Sequence, residues 1–310
     1  MQIVRDLTHF KTKGSVVLTQ GTFDGVHLGH QKILSRMVQR AEELKGDSVI
    51  LTFYPHPRLV LYPDDNELKL ITSLEEKAQL MENFGIDTLV VLPFTKELSR
   101  ISPSTYIHDI LIEALQVHTF IIGYDHRFGR NREGSISDLR RAQNDHSFAL
   151  EEISEKDVDN CIISSTKIRT AVLDGDMPLA QRFLGRYFNL TGNVVSGKQL
   201  GRKLGFPTAN IVINDLYKII PGNGVYAGLV EHAGVTYKAM INVGSKPTLN
   251  EDVIGIEAHM FNFSEDIYGQ EIKILFVDKL REQIKFASVG NLSEQLTKDK
   301  SHALEILLLE

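Results

Sequence analysis

The chain has 310 residues, enough for roughly two domains at about 150 residues each. With 42% hydrophobic and 24% charged residues it can bury a core, which excludes global disorder. A net charge of −6, a single cysteine (Cys161) and no apolar run near about 20 residues exclude three further classes: the dedicated nucleic-acid binder, the disulfide or cysteine-rich zinc scaffold, and the membrane-spanning protein. The opening MQIVRDLTHF has no apolar leader, so a mature cytoplasmic protein is expected.

The first 184 residues alternate short apolar runs with helical patterns. Strands are predicted at Val16–Thr19, Ser48–Phe53, Thr88–Leu92 and Phe120–Gly123. Between them, His30–Leu44 places Ile33, Leu34, Met37, Val38, Ala41 and Leu44 on one helix face. A Ser-x-x-Glu box (Ser73, Glu76) starts a second helix running to Phe84, and Ser104–Leu115 follows Pro103 as a third. The order predicts an α/β domain, a Rossmann-like parallel sheet covered by helices, with ligands beyond the carboxyl ends of the strands. From about residue 185 glycine becomes denser. Gly224–Val230, Thr236–Val243, Ile254–Phe261 and Glu271–Val277 read as strands, and Leu292–Leu309 as a closing helix. That half is expected to be a small antiparallel sheet or barrel. The boundary falls near Gly185–Leu190, giving domains of residues 1–184 and 185–310.

Gln20-Gly21-Thr22-Phe23-Asp24-Gly25-Val26-His27-Leu28-Gly29-His30 joins the first strand to the first long helix. Gly21 and Gly25 allow close backbone approach and unusual φ, and the helix start offers unpaired N–H groups to an anion. His27 and His30, three apart, can face one ligand and donate to phosphate oxygens. A metal reading of this pair lacks carboxylate or cysteine ligands at familiar spacing. Ser164, Ser165 and Thr166 form a hydroxyl cluster before a helix expected to begin near Lys167, with Arg169 one turn on; alone, such a cluster reads as a cap. Arg127 and Arg130 can equally be solvated loop charges.

In the later half, Gly197 and Gly201–Gly205 (GRKLG) form a cationic loop that leads into Phe206-Pro207-Thr208-Ala209-Asn210. On an extended segment Thr208 and Asn210 point the same way, and two hard oxygens suit Mg²⁺. By itself this is also an ordinary turn entering a strand. Glu257, in Ile254-Gly255-Ile256-Glu257, is a general base if buried near a hydroxyl and a solvated residue otherwise.

These stretches together resemble the bacterial bifunctional riboflavin kinase/FAD synthetase family. GTFDGVHLGH, Thr52–Pro57 (TFYPHP), Gly123–Gly129 (GYDHRFG) and Ile163–Arg169 (ISSTKIR) are similar to its adenylyltransferase motifs. GRKLGFPTANI, Gly224–Gly228, Asn242–Thr248, Glu257–His259 and Leu280–Phe286 are similar to its kinase motifs. The resemblance spans nearly the whole chain. It implies that the C-terminal domain phosphorylates riboflavin with ATP and Mg²⁺, giving FMN and ADP, and that the N-terminal domain joins FMN to AMP, giving FAD and pyrophosphate. On that footing Glu257, His27, His30 and Arg169 are catalytic. Gly21, Thr22, Phe23, Asp24, Gly25, Gly29, Ser164, Ser165, Thr166, Gly201 and Gly205 bind ATP or its phosphates. Phe53, Tyr54, Pro55, Asp125, Arg127 and Arg281 bind flavin, and Thr208 and Asn210 hold the metal. Departures are His126 where the family usually has Phe, Ser196 for His, Gln283 for Glu, and no Pro after Arg186. Neither nucleic acid nor membrane is an expected partner; oligomeric state stays open, a homo-oligomer included. Two other readings stay open as well: a protein with only one of the activities, and a non-catalytic flavin-binding regulator.

Overall fold

The protein is described from a computed structural model, covering residues 1–64, 68–123, 127–130, 133–153, 163–197, 201, 204–248 and 251–308. It divides into two compact units, Met1–Ser164 and Ser165–Glu310.

The first unit is an all-parallel sheet of β1 (Gln2–Val4), β2 (Val16–Gln20), β3 (Asp47–Tyr54), β4 (Thr88–Pro93), β5 (Val117–Gly123) and β6 (Ala149–Ile153), in the order β1-β4-β3-β2-β5-β6. The central strands are nearly continuous apolar runs because both faces are covered. Strand alternation sends Leu18, Leu51, Val90 and Phe120 to one core and Val17, Ile50, Leu89, Val91 and Ile121 to the other. The second core is closed by α1 (Leu28–Leu44), through Leu34, Met37 and Ala41, and by α3 (Leu74–Asn83), through Leu74, Ala78 and Met81. A short α2 (Pro57–Leu61) precedes α3. The expected capping box is present: Glu76 N–H donates to Ser73 Oγ at 3.1 Å, and Ser73 N–H to the Glu76 carboxylate at 3.0 Å. On the first core, α4 (Pro103–Thr105) continues as π-helical turns over Tyr106–Ala114 rather than as the expected plain helix. The wider turn, closed by Leu115 N–H to the Ile110 carbonyl at 3.0 Å, brings Tyr106, Ile107, Ile110 and Leu111 all onto the sheet. α5 (Ile136–Ala142) follows.

The second unit opens with α6 (Ser165–Asp174) and α7 (Met177–Leu184). Gly185 ends α7 at φ 71°, a left-handed cap that glycine takes without strain. A closed barrel follows, built from β7 (Phe188–Val195), β8 (Ala209–Val212), β9 (Gly224–His232), β10 (Val235–Thr248), β11 (Glu251–Met260) and β12 (Glu271–Arg281), ordered β10-β11-β8-β7-β12-β9. Its interior is lined by alternate residues such as Leu190, Tyr226, Ile241, Ile256 and Phe276, all buried. α8 (Val289–Leu307) lies outside, its Ala303 and Leu307 meeting Ala227, Met240, Phe261 and Val277.

Candidate active sites

In the first unit the chain runs from β2 to β3 on one side of the sheet and returns to β5 on the other, so the carboxyl end of β2 lies at the switch point. The glycine loop starts there. Gly21 N–H donates to the Leu51 carbonyl at 3.0 Å, and the buried Tyr106 hydroxyl donates to Gln20 Oε1 at 2.6 Å. Burial pushes the Tyr106 phenol far above its ordinary pKa, so it remains a donor. The loop then turns through left-handed backbone at Phe23 (φ 47°), Gly25 (φ 86°) and Val26 (φ 40°). Two of these are bulky non-glycine residues, a conformation that persists only when its surroundings impose it. Hydrogen bonds from α3 and the residues just before it impose it. Asp24, buried, accepts from Ile71 N–H at 2.9 Å and Thr72 N–H at 3.1 Å. Gly25 N–H donates to Thr72 Oγ1 at 3.0 Å, and Lys77 Nζ donates to the Thr22 carbonyl at 2.6 Å.

His27 caps α1: its Nδ1 accepts from His30 N–H at 3.3 Å, which leaves the proton of the neutral ring on Nε2. The His27 and His30 rings stack with centroids 3.6 Å apart and planes at 16°, and Phe23 meets His30 edge-on at 5.1 Å. Burial, then the neighbouring His27 and Lys77, hold His30 well below the ordinary imidazole pKa, so it is neutral near pH 7. Its Nδ1 is buried and without a hydrogen-bond partner among the described residues. The result is a pair of imidazoles at the positive end of a 17-residue helix, a place that favours an anion.

Of the other expected residues, Gly29 is buried in the first turn of α1. Phe53 packs edge-on to Phe94 at 5.5 Å, while Tyr54 is exposed and is followed by a cis bond to Pro55. Arg127 is exposed, and Asp125 lies outside the described residues. The hydroxyl cluster falls across the division of the chain: Ser164 ends the first unit, whereas Ser165 and Thr166 lie on the first turn of α6 in the second, with Arg169 one turn on. That helix begins two residues earlier than expected.

In the second unit, pairing aligns Asn210 (β8) with Glu257 (β11) and Glu257 with Asn242 (β10). Directly opposed residues in antiparallel strands share a face, so this row sets a carboxylate between two amides, all half-buried. Gln283 Nε2 donates to Asn242 Oδ1 at 3.1 Å. Thr208, half-buried, stands just before β8. Two preceding glycines lie close against this segment. A Cβ on Gly197 would come within 2.2 Å of Asn210 Nδ2, and one on Gly201 within 2.3 Å of the Phe206 carbonyl and 3.6 Å of Thr208 Oγ1. Gly205 turns at φ 80°. The buried His259 holds the Pro207 carbonyl through Nδ1 at 2.7 Å and so fixes the residue before Thr208. Burial lowers the His259 pKa. Arg281 is committed elsewhere: it grips the buried Asp299 of α8 through contacts of 2.6, 3.0 and 3.1 Å.

Sequence reasoning missed Thr72 and Lys77, which hold the glycine loop, and Asn242 as a neighbour of Glu257. Lys77 had a legible signal: it interrupts the apolar stripe Leu74, Ala78 and Met81 of α3.

Comparison with known proteins agrees with the resemblance. A family model described as FAD synthetase matches residues 9–167, and one described as riboflavin kinase matches 184–307. A "bifunctional riboflavin kinase/FMN adenylyltransferase" of Bacillus subtilis is 37% identical over 93% of this chain and 91% of its own. Its counterpart from Haemophilus influenzae is 35% identical over 96% and 97%. Among solved structures, a macrolide-efflux protein of Streptococcus pneumoniae superposes with a TM-score of 0.87 at 29% identity, covering 96% of this chain and 97% of that one.

Proposed function

The chain belongs to the bifunctional riboflavin kinase/FMN adenylyltransferase family, and from that premise we propose how its residues divide the two reactions. The protein phosphorylates riboflavin with ATP and adenylylates the resulting FMN to FAD. We assign the first step to residues 185–310 and the second to residues 1–184.

In the kinase, Glu257 accepts the proton of the ribityl hydroxyl as that oxygen bonds to the γ-phosphorus of ATP and ADP departs. Asn210 and Asn242 flank the carboxylate and orient it. The Thr208 hydroxyl and the Asn210 amide oxygen are the hard, neutral donors that suit Mg²⁺ alongside nucleotide phosphates. The side chain of Asn210 is held close to Gly197, whose missing Cβ leaves the amide its place. The ion, when bound, neutralises charge on the β- and γ-phosphates. Gly201 and Gly205 let the loop approach nucleotide.

In the adenylyltransferase, a phosphate oxygen of FMN attacks the α-phosphorus of ATP and pyrophosphate leaves. His27 and His30 donate to the triphosphate as charge builds there. Gly21 to Gly25 and Gly29 admit it to backbone N–H groups, with Asp24 holding the loop's shape. Ser164, Ser165, Thr166 and Arg169 join this step through their motif. Phe53, Tyr54 and Pro55 offer an apolar wall for the flavin ring, and Asp125 and Arg127 keep their assignment to flavin on the family motifs alone, as Arg281 does for the kinase. Both steps consume ATP, which points to the cytoplasm. Among the described residues no helix is long and apolar enough to cross a membrane.

The observation that carries the reading is the row Asn210–Glu257–Asn242, a carboxylate set between amides on a barrel face beside a glycine loop. The test is a time course with riboflavin, ATP and Mg²⁺ that resolves FMN from FAD. Glu257→Gln should stop FMN formation and leave FMN-to-FAD conversion intact; undiminished phosphorylation in that variant removes Glu257 from the mechanism.

A further inference from the structure

Lys77 is a charged residue in a core position. It shares the inward stripe of α3 with Leu74, Ala78 and Met81 and is only 8% exposed. Burial pulls its pKa down, and Asp24 pulls it back up. Burying an ammonium is costly unless partners compensate it. Its Nζ donates to the Thr22 carbonyl at 2.6 Å. The next residue, Phe23, has φ 47°, and its ring meets His30, which stacks on His27. Asp24, one residue further, is fixed by the amides of Ile71 and Thr72, just ahead of the same helix. The glycine loop is therefore held from α3 and its approach at three points: the Thr22 carbonyl, the Asp24 carboxylate and the Gly25 N–H.

We propose that Lys77 is a positioning residue for adenylyl transfer: its ammonium holds Thr22, and through Thr22 sets where Phe23, His27 and His30 stand against the triphosphate. The inference rests on the assignment of the two imidazoles to that step. Lys77 touches no reacting atom and acts through the loop. It also shapes the charge around His30. The charged groups around that ring are Lys77 from α3, offset by Asp24 of the loop, and, when its ring is protonated, His27 at the start of the same helix. Burial first, and these charges after it, keep His30 uncharged.

The test uses the full chain with Lys77→Met, which removes charge and donor, and Lys77→Gln, which removes the charge and keeps a donor. Riboflavin phosphorylation, FMN adenylylation and the NMR titration of the His30 ring are measured in each. Lys77→Met should lower the adenylylation kcat by about a hundredfold, the cost of an ångström-scale misplacement, with a smaller change in KM for ATP and phosphorylation unchanged. Lys77→Gln should recover part of kcat. Both variants should raise the His30 midpoint towards the ordinary value because each removes the charge, and the recovery of kcat by Lys77→Gln is the readout that a merely structural lysine would not give. A wild-type adenylylation kcat in Lys77→Met, or an unmoved His30 midpoint in both variants, overturns the inference. Should Lys77→Met lose the fold of the first unit, seen as loss of that unit's urea transition, the His30 midpoint in Lys77→Gln decides alone. His30→Ala separates the two levels: if it keeps full adenylylation, the assignment of the imidazoles falls; if it is inactive while the Lys77 variants behave as wild type, only the role of Lys77 falls.

Discussion

Gly197→Ala should disable one reaction and spare the other. The new Cβ would stand 2.2 Å from Asn210 Nδ2, 2.6 Å from its Cγ and 2.9 Å from its Oδ1. Ordinary contacts to a Cβ begin near about 3.4 Å, so the amide must retreat by about 1 Å. Asn210 is short and sits in register with Glu257. It can yield only by turning its oxygen away or by shifting β8, and either move disturbs the oxygen ligands proposed on Asn210 and Thr208. A displacement of that size at a positioning group costs about a hundredfold in rate, or about 3 kcal/mol of barrier. The assay is riboflavin phosphorylation against FMN adenylylation in the same preparation. The first should fall by that factor and the second should hold. Phosphorylation within about twofold of wild type, a barrier change under about 0.5 kcal/mol, would refute the reasoning.

Asp299→Ala leaves Arg281, whose side chain is 19% exposed, without its buried partner; the loss should be about 3–5 kcal/mol, read as a drop in the urea midpoint of the barrel unit. Ser73→Ala removes half of the capping box of α3 and should cost about 1 kcal/mol in the transition of the first unit. For pH, His30 has a folded pKa below its ordinary 6.5, so below that pH the unfolded chain binds more protons than the folded one. Its contribution to stability is complete above 6.5 and is lost as pH falls towards the folded value. The denaturation midpoint should therefore drop less on acidification in His30→Gln than in the wild type, and identical pH profiles would contradict a buried neutral His30.

Much of this was readable before the structure. The four central strands announced themselves because a sheet covered on both faces needs continuous apolar runs, and β2 to β5 supply them. The start of α3 was legible in Ser73 and Glu76 because capping is a local interaction. The edge strands β1 and β6 were not foreseen: three residues at Gln2–Val4 carry no periodicity, and Ala149–Ile153 is half polar. The π-helical turns over Tyr106–Ala114 also escaped, since an apolar stretch reads alike for either helix. For the sites, the glycine and histidine spacing pointed to a phosphate loop. What holds that loop in place comes from about 50 residues away in sequence, at Thr72 and Lys77, and spacing is blind to such contacts. The commitment of Arg281 to Asp299 was hidden for the same reason.

The place where the chain divides has a practical consequence for anyone wishing to separate the activities. A fragment ending at Ser164 would dispense with the serine–threonine helix start that the adenylyl-transfer motif contains. A fragment ending at Leu184 would keep it, but would strip the barrel of α7, whose Met177, Ala180 and Leu184 are buried in the intact chain. Neither scissor point yields a clean half, so silencing one reaction by a point substitution is the sounder route to a monofunctional protein.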